Sequence, residues 1–271
     1  MPAADQVDFL NGKTRLFGIV GDPIEQVRSP EMITWEMQQR GMNAVLVPVH
    51  VRAQDFDEVM PQLLRVHNLD GLVFTIPFKA KAMAYADTLG PQATQVGAIN
   101  ALARNAQGRW SGEIFDGLGC VEGFRRRGLS LRDRRVMLIG LGGAGAAICA
   151  AVAGEQPAFM RLFDLDPARC ERLAAVVRRL SPTTQVEIAP ASVTGIDVLM
   201  NASPVGMLTD ARLPLVVDTL PSNLIVFDAI VKPEQTPLLA LAQACGCTVV
   251  QGREMMRGQI AKLVDYFNRP V

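Results

Sequence analysis

The sequence predicts an α/β protein with two domains, in which helices cover mainly parallel sheets. In the first third of the chain, short apolar runs at 16–20, 44–49 and 71–76 alternate with segments of helical periodicity. Repeated β-α-β units of this size form parallel sheets. Further along, an apolar run at 136–139 leads into a glycine-rich loop at 140–145 and an alanine-rich helix, which starts a second α/β series.

Helix-end signals define the helices of the first series. Ser29 and Pro30 are typical of an N-cap and a first helical residue, and Gly41 is typical of a helix end. A second helix is expected around 56–66. A longer helix is expected over 117–127, after the first series.

The second series continues almost to the last residue. Its later strands are short apolar runs at 161–163, 186–188, 198–200 and 224–227. A final amphipathic helix is expected at about 255–267. We therefore expect two α/β domains, the first over 1–115 and the second over 116–254, and the final segment 255–271 could return to the first.

The composition is that of a globular chain. Of its 271 residues 49% are hydrophobic and 20% are charged, and 27 basic and 27 acidic side chains give a formal net charge of +0. This balance argues against a nucleic-acid partner and a membrane-surface partner. No basic, apolar leader opens the sequence, and charged residues interrupt every long apolar run, so we expect a cytoplasmic protein.

The five cysteines are scattered, which is typical of packing residues in a reducing compartment. Only Cys245 and Cys247 lie close in sequence, and a single C-x-C pair is weak support for a metal ion. His50 and His67 do not have the spacing of a metal site or a catalytic triad. The sequence therefore predicts no metal site.

The glycine-rich loop fits the pattern G-x-G-x-x-G through Gly140, Gly142 and Gly145. An apolar strand precedes it and a helix follows it, as in dinucleotide-binding units. The helix N-terminus would meet the pyrophosphate charge. We predict that this loop, Gly143 and Ala144 included, binds a dinucleotide; the alternative is a glycine-rich turn without a ligand.

Asp164 follows the second strand of this unit. An acidic side chain at that place can bind the ribose 2′-hydroxyl and repels the 2′-phosphate of NADP, so NAD is favoured over NADP. Neither Arg161 nor Arg169 obviously restores phosphate binding. The alternative is that Asp164 caps the helix beginning near Pro167, a role that Asp166 fits better.

Lys79 stands just after an apolar strand and a proline turn, and Asp116 follows a second apolar stretch. A lysine amine can accept the proton of an alcohol while a nicotinamide takes the hydride, and a carboxylate can stabilise the resulting ammonium. From these residues alone, a solvated lysine and a helix N-cap aspartate are equally good readings.

Across nearly its full length, the chain resembles the shikimate/quinate dehydrogenase family. The matching segments share the family's order along the chain and are Gly21-Asp22-Pro23-Ile24 to Ser29-Pro30, Thr75-Ile76-Pro77-Phe78-Lys79, Ala98-Ile99-Asn100, Asp116-Gly117, the loop 140–145, Asn201-Ala202-Ser203-Pro204-Val205-Gly206-Met207, Thr236-Pro237-Leu238-Leu239 and Gly258-Gln259.

The resemblance implies a substrate domain built from both termini, a Rossmann domain between them, and Lys79 and Asp116 as the catalytic pair. The residues that it implies around a cyclic hydroxy acid substrate are Ser29, Thr75, Asn100 and Gln259. Asn100 and Gln259 would hold ring hydroxyls. The residues that it implies at the cofactor, besides the glycine loop, are Ala229, Gly252 and Met255.

Four recognition positions that are polar in the family are apolar here. They are Val27, the pair Val73-Phe74, the pair Ile114-Phe115, and Val231. Each lost polar contact removes on the order of 1 kcal/mol of binding. We therefore expect a less hydroxylated or differently anchored ring substrate. Arg28, Arg253 and Arg257 are alternative anchors for a carboxylate, or simply solvated surface arginines.

Two alternatives stay open. The first is authentic shikimate or quinate dehydrogenase activity in which other residues bind the substrate carboxylate. The second is a non-catalytic sensor that keeps the fold and binds a nucleotide or metabolite. Retention of Lys79, Asp116, Asn100 and Gln259 argues against a sensor. The sequence leaves open whether the protein is a monomer or a homodimer.

Overall fold

The structure is a computed structural model and describes residues 10–268. The chain divides into two compact units. Unit 1 comprises Met1–Ile114 and Ile260–Val271, and unit 2 comprises Phe115–Gln259. Within residues 10–268, no helix is long and apolar enough to cross a membrane.

Unit 1 is built on a six-stranded sheet. Its elements are β1 (Arg15–Gly21), α1 (Ser29–Gln39), β2 (Ala44–His50), α2 (Phe56–Leu63), β3 (Leu69–Phe74), a 3₁₀ turn (Lys81–Tyr85), β4 (Thr88–Leu89), α3 (Pro91–Val96), β5 (Ala101–Arg104) and β6 (Trp110–Glu113). The strand order is β2-β1-β3-β5-β6-β4. The β-α-β alternation predicted for the first third is confirmed, because β1 pairs in parallel with both β2 and β3.

The far half of this sheet is mixed. β5 runs antiparallel to both β3 and β6. The reason is a tight connection between β5 and β6, in which the Asn105 side chain accepts hydrogen bonds from Gln107 N at 3.1 Å and Arg109 N at 2.9 Å. Gly108 adopts a φ of +75°, which a glycine tolerates without strain. A short hairpin of this kind joins only antiparallel strands.

The core of unit 1 holds the segment that follows β3. Phe56 stacks on Phe78 with ring centroids 4.1 Å apart, and it meets Phe74 edge-on at 6.3 Å. These three rings are at most 1% exposed. Burying one such ring contributes about 2–3 kcal/mol, so Phe74 and Phe78 anchor both ends of the intervening turn.

Unit 2 contains a fully parallel sheet. Its elements are α4 (Asp116–Arg126), β7 (Arg135–Ile139), α5 (Gly143–Gly154), β8 (Phe159–Phe163), α6 (Pro167–Leu180), β9 (Gln185–Ile188), β10 (Val198–Asn201), β11 (Ile225–Asp228), α7 (Pro237–Ala244) and β12 (Thr248–Val250). The strand order is β12-β11-β10-β7-β8-β9, the doubly wound order of a Rossmann unit. Helix α8 (Gly252–Phe267) contributes residues to both units.

Several predicted boundaries differ from the structure. Ser29 is the first residue of α1, not its N-cap; Arg28 holds the cap position, and no side chain caps the helix. A proline is tolerated at Pro30 because backbone N–H groups in the first turn have no partner inside the helix. The third strand ends at Phe74, not at residue 76, because the chain turns there with Phe78 N bonded to Thr75 O at 2.9 Å.

Candidate active site

In unit 1, three segments carrying predicted site residues are joined by backbone hydrogen bonds. Thr75 N donates to Val20 O at 3.0 Å, and Asp22 N donates to Ile76 O at 2.9 Å. On the other side, Ile99 N donates to Lys79 O at 2.8 Å. The segment 75–79 is therefore held between the end of β1 and the approach to β5, which fixes the backbone from which the Lys79 amine extends.

Gly21 is required where these segments meet. A Cβ at this position would lie 2.3 Å from Thr75 Cγ2 and 3.4 Å from Ile76 O, well inside normal contact distance for the first atom. The absence of a side chain lets β1 approach the turn after β3. The sequence Gly21-Asp22-Pro23 thus shapes the position of Thr75.

The other predicted substrate residues of unit 1 are Asn100, which precedes β5, and Ser29, which begins α1. Asn100 is 2% exposed. Its carbonyl accepts a hydrogen bond from Phe74 N at 2.9 Å, and its N–H donates to Glu113 O at 3.0 Å. Ser29, half-buried, opens α1. Their roles toward a substrate remain predictions.

Glu113 is a buried acid that sequence analysis missed. It is 8% exposed, and its Oε1 accepts hydrogen bonds from Ala93 N at 2.7 Å and from Ile114 N at 2.9 Å. The carboxylate therefore fixes α3 against the end of β6. A Cβ on Gly90 would lie 2.0 Å from Glu113 Oε2, so the carboxylate needs a glycine at the start of α3. In the sequence, Gly90-Pro91 signals a helix start but does not point to Glu113.

In unit 2, Asp116 is the first residue of α4 and is 2% exposed. Glycines let this helix approach two others closely. A Cβ on Gly117 would lie 2.1 Å from Ala147 O in α5, and a Cβ on Gly119 would lie 2.4 Å from Met255 O in α8. Helix packing by direct backbone contact thus fixes the positions of Asp116 and Met255.

The α4–α8 contact also positions Gln259. A Cβ on Gly258 would lie 2.4 Å from Gly119 O, so the helix backbones touch at this point. Gln259 follows directly and is half-buried. This close approach explains why residue 258 is a glycine.

The glycine loop has the geometry of a dinucleotide site. Gly140 has a φ of +86°, and its Cβ would lie 2.5 Å from Ser203 N. A Cβ on Gly145 would lie 1.9 Å from Gly140 O. By contrast, a Cβ on Gly142 would meet nothing within 4 Å. The first and third glycines serve packing, whereas the open space at Gly142 suits a group that approaches the backbone.

The start of α5 supplies donors to that space. The helix begins at Gly143, and the first N–H groups of a helix, here those of Gly143 and Ala144, have no partner inside it. These N–H groups and the positive end of the helix suit a pyrophosphate. The residues of the loop therefore fit a dinucleotide.

Asp164 is joined to this loop. Its Oδ2 accepts from Leu141 N at 2.6 Å, and its Oδ1 accepts from Asp166 N at 2.9 Å. Arg169 lies 3.6 Å from the same carboxylate. The expectation that Asp166 caps the next helix is confirmed, since its side chain accepts from Ala168 N at 3.0 Å. Whether Asp164 also binds a ribose remains a prediction.

A buried polar network was not recognised from the sequence. Asp228 is 0% exposed and accepts from Thr236 Oγ1 at 2.7 Å, Ile230 N at 3.1 Å and Asn201 Nδ2 at 3.2 Å. Burial raises the pKa of Asp228 to about 6, although the three donors oppose this shift. Asn201 in turn accepts from Ser203 Oγ at 2.7 Å.

This network shapes the chain around the glycine loop. Ser203, which Asn201 holds, lies against Gly140. Thr236 caps α7 by accepting from Leu239 N at 3.3 Å. The segments 201–207 and 236–239 appeared in the sequence as family matches, but only the fold joins them through Asp228.

The two remaining predicted cofactor residues lie at the end of β11. Ala229 N donates to Asn201 O at 2.9 Å. A Cβ on Gly252 would lie 2.4 Å from Ile230 O and 2.7 Å from Ala229 O, so α8 starts directly against this segment. Both backbones are fixed, and their contact with a cofactor remains a prediction.

The three arginines considered as carboxylate anchors all have acidic neighbours. Arg28 pairs with Glu31 at 3.0 Å on the surface. Arg253 pairs with Glu234, and its buried Nε has no hydrogen-bond partner among the described residues. The third, Arg257, lies 3.3 Å from Glu254. A substrate carboxylate would have to compete with these acids.

Unit 2 has a doubly wound sheet and an open glycine cradle at a helix start, which are the features of a dinucleotide-binding domain. A family model described as the shikimate dehydrogenase substrate binding domain matches residues 19–102, within unit 1. The chain is 32% identical over 267 residues to the shikimate dehydrogenase (NADP(+)) of Thermosynechococcus vestitus, covering 95% of this chain and 91% of that one.

Two solved structures of related dehydrogenases also match this chain. Shikimate 5-dehydrogenase from Listeria monocytogenes, in complex with shikimate and NAD, matches with a TM-score of 0.82 at 27% identity and covers 95% of this chain and 93% of that chain. Quinate dehydrogenase from Corynebacterium glutamicum, in complex with NAD, matches with a TM-score of 0.80 at 26% identity and covers 94% of each. The chain belongs to the shikimate/quinate dehydrogenase family and is an NAD(P)-dependent dehydrogenase of that type.

Proposed function

We propose that this protein is an NAD-dependent dehydrogenase that interconverts a secondary alcohol and a ketone on a cyclic hydroxy acid less polar than shikimate. The observation that carries the proposal is a selective change in the sequence. The residues for proton transfer and ring hydroxyls, Lys79, Asp116, Asn100 and Gln259, are retained, whereas four polar recognition positions are apolar.

In this proposal, unit 1 supplies most of the substrate site and unit 2 supplies the cofactor site. Lys79 accepts the alcohol proton during oxidation and returns it during reduction, and Asp116 stabilises its ammonium form. Asn100 and Gln259 bind ring hydroxyls, while Ser29 and Thr75 line the ring. A bound nicotinamide supplies the hydride chemistry.

The surroundings of the apolar positions support a less polar substrate. Val73 and Phe74 are 5% and 1% exposed, and Phe74 packs on Phe56. Ile114 is 1% exposed and Phe115 is 6% exposed. Valine, isoleucine and phenylalanine side chains carry no donor or acceptor for a ring hydroxyl. The proposed substrate therefore makes fewer polar contacts than shikimate makes in a family site.

The proposed preference for NAD rests on Asp164. Its carboxylate is fixed beside the glycine loop by Leu141 N and is 10% exposed. A fixed negative charge there repels a 2′-phosphate and accepts a bond from a 2′-hydroxyl. Arg169 lies 3.6 Å from Asp164 and is also paired with Asp166 at 3.3 Å.

The relatives support a second candidate, which is authentic shikimate or quinate dehydrogenase activity. Initial rates of nicotinamide reduction decide between the two. Shikimate, quinate and cyclic hydroxy acids lacking one or two ring hydroxyls should be compared, each with NAD and with NADP. Efficient oxidation of the less hydroxylated acids with NAD supports the proposal. A micromolar Michaelis constant for shikimate would contradict the altered substrate, and faster rates with NADP would contradict the cofactor preference.

A further inference from the structure

The pair Cys245 and Cys247 lies apart from the residues assigned to catalysis and cofactor binding. It follows α7, where Gly246 adopts a φ of +77° and reverses the chain into β12. Gly246 N donates to Gln243 O at 3.0 Å and Cys247 N donates to Ala242 O at 2.9 Å, so the turn is a well-bonded helix end.

Both sulfur atoms contact the same neighbouring segment, residues 219–221. Cys245 Sγ lies 3.4 Å from Leu220 N and 3.6 Å from Thr219 Oγ1. Cys247 Sγ donates to Pro221 O at 3.2 Å. Because the turn at Gly246 directs both side chains to three consecutive residues, the two thiols face one side of the chain.

The two thiols differ in chemistry. The Leu220 N–H and the Thr219 hydroxyl stabilise a thiolate and lower the pKa of Cys245. Burial raises the pKa of Cys247, and the neighbouring Cys245 charge adds to that shift. Cys245 is therefore the more readily ionised thiol, and Cys247, two residues along the chain, is the one that stays protonated.

The other cysteines lack this environment. Cys120, Cys149 and Cys170 are buried, and burial raises the pKa of each thiol. Cys245 and Cys247 are partly exposed and so can be reached by a small oxidant. Among the described residues, no group of three or more His, Cys, Asp or Glu could hold a metal ion, so a metal does not explain the pair.

We propose that Cys245 and Cys247 form a peroxide-reactive thiol pair that closes reversibly to a disulfide. The Cys245 thiolate attacks one oxygen of hydrogen peroxide, the O–O bond breaks, and hydroxide leaves as sulfenic acid forms. The Cys247 sulfur then attacks Cys245 Sγ, the S–O bond breaks, and the departing hydroxide takes the thiol proton as water. Overall, two thiols are oxidised by two electrons and one peroxide is reduced to two waters.

The pair is a modification site independent of the proposed substrate and cofactor. Closing the disulfide removes the thiol proton that Cys247 donates to Pro221 O, and it makes Cys245 Sγ a weaker acceptor for Leu220 N than a thiolate is. It therefore changes the contacts between the end of α7 and residues 219–221. A two-residue spacing forms a small ring, and strained disulfides of this kind are readily reduced.

The test uses the reduced full-length protein and a stoichiometric amount of hydrogen peroxide, followed by intact-mass measurement and peptide mapping. We expect the loss of two hydrogens, a Cys245–Cys247 cross-link, and full reversal by dithiothreitol. In Cys247→Ser, dimedone should trap sulfenic acid at Cys245. In Cys245→Ser, peroxide consumption by the protein should fall by roughly tenfold.

Two controls connect reactivity to the folded geometry. Thr219→Val removes one donor at nearly constant size and should slow Cys245 oxidation, whereas Thr248→Val changes an exposed threonine beyond the pair and should not. In urea, where the donors are lost, Cys245 should react no faster than the other cysteines. First oxidation at Cys120, Cys149 or Cys170, sulfenic acid preferentially at Cys247, or equal Cys245 rates in folded and unfolded protein would overturn the proposal.

Discussion

Asp164 Oδ2 accepts a hydrogen bond from Leu141 N at 2.6 Å and so ties the end of β8 to the glycine loop. Its second oxygen accepts from Asp166 N at 2.9 Å. A carboxylate offers about four lone-pair sites, so these bonds leave capacity for a ribose hydroxyl. One side chain thus sets the shape of the loop and is placed to influence the choice of cofactor.

We predict that Asp164→Asn weakens NAD binding by roughly tenfold and lowers the free energy of unfolding by about 1–2 kcal/mol. The amide can still accept one of the two backbone bonds, but its NH₂ group opposes the other N–H donor. Because the negative charge is lost, NADP binding should weaken less than NAD binding. Dinucleotide titration and urea unfolding measure both effects.

The matched control is Asp166→Asn. Asparagine is as good an N-cap as aspartate, so this variant should keep both stability and the NAD:NADP preference. An Asp164→Asn protein with the parental preference would show that this carboxylate serves the loop alone.

The glycine loop offers a second prediction, in which folding and binding separate. Gly142→Ala places a methyl group in open space at a φ of −66°, so the fold should tolerate it while NAD affinity falls by about tenfold or more. Gly145→Ala places a methyl group 1.9 Å from Gly140 O and should cost several kcal/mol, about 3 or more, of stability. Thermal unfolding and NAD titration of both variants provide the comparison. Unchanged NAD affinity in a folded Gly142→Ala protein would argue against a cofactor at this loop.

A third prediction concerns pH and Asp228. The folded pKa of about 6 lies above the ordinary aspartate value of 3.8, so the folded protein holds the proton more tightly than the unfolded chain. The stability from this group is complete below pH 4 and is lost as the pH rises towards 6. The difference between the folded and unfolded pKa corresponds to roughly 2–3 kcal/mol of unfolding free energy.

The measurement for Asp228 is urea unfolding between pH 4 and 7, with Asp228→Asn as the comparison. The variant does not titrate, so the difference in unfolding free energy between the two proteins should change across this range and level off above it. The Thr236 hydroxyl, 2.7 Å away, donates to Asp228 and lowers its pKa. Thr236→Val removes this donor, so the pKa of Asp228 should rise and the loss of stability should occur at higher pH. A difference that does not vary with pH would contradict a titrating Asp228.

Local patterns predicted much of the fold, but not the pairings that depend on distant residues. The strands at 16–20, 44–49 and 136–139 were visible because they are apolar runs bounded by turn residues. β5 and β6 were missed because they are short and carry polar residues such as Arg104 and Ser111, which break the apolar run and are half-buried in the folded hairpin.

The same limit applies to the candidate site. The glycine loop is a local spacing and could be predicted directly. The bonds of Asp228 to Asn201 and Thr236 join residues 27 and 8 positions apart, and no pattern in the sequence specifies them. The buried Glu113 likewise acquires its role only when α3 packs on the end of β6. Tertiary structure determines which buried polar residues pair, and hydrophobic periodicity in the sequence carries no information about these contacts.

Lys79 gives the most direct test of catalysis. We predict that Lys79→Ala lowers turnover by about 10²–10⁴-fold with little change in NAD affinity, because it removes proton transfer while the unit 2 loop stays intact. The matched control is Lys81→Ala. Lys81 is exposed and pairs with Asp57 at 3.2 Å, so its loss should leave turnover unchanged.

The outcome for Lys79 also separates an enzyme from a sensor. A protein that binds NAD equally well with and without the Lys79 amine, and turns over no substrate in either form, would be a sensor. If Lys79→Ala and Lys81→Ala lose turnover to the same extent, the assigned base is wrong. Steady-state rates and NAD titration on the same samples distinguish these results.

The last prediction restores a polar contact at a position where the family has one. Val27 is half-buried just before Ser29 at the start of α1, and Val27→Ser would recreate the paired hydroxyls of the family turn. One added hydrogen bond of about 1 kcal/mol should raise kcat/KM for shikimate roughly fivefold. Val27→Ala is the control, since it removes the same bulk without adding a hydroxyl. A gain in both variants would assign the effect to space, whereas a gain in Val27→Ser alone would assign it to the hydroxyl and support a site that has lost its grip on the carboxylate.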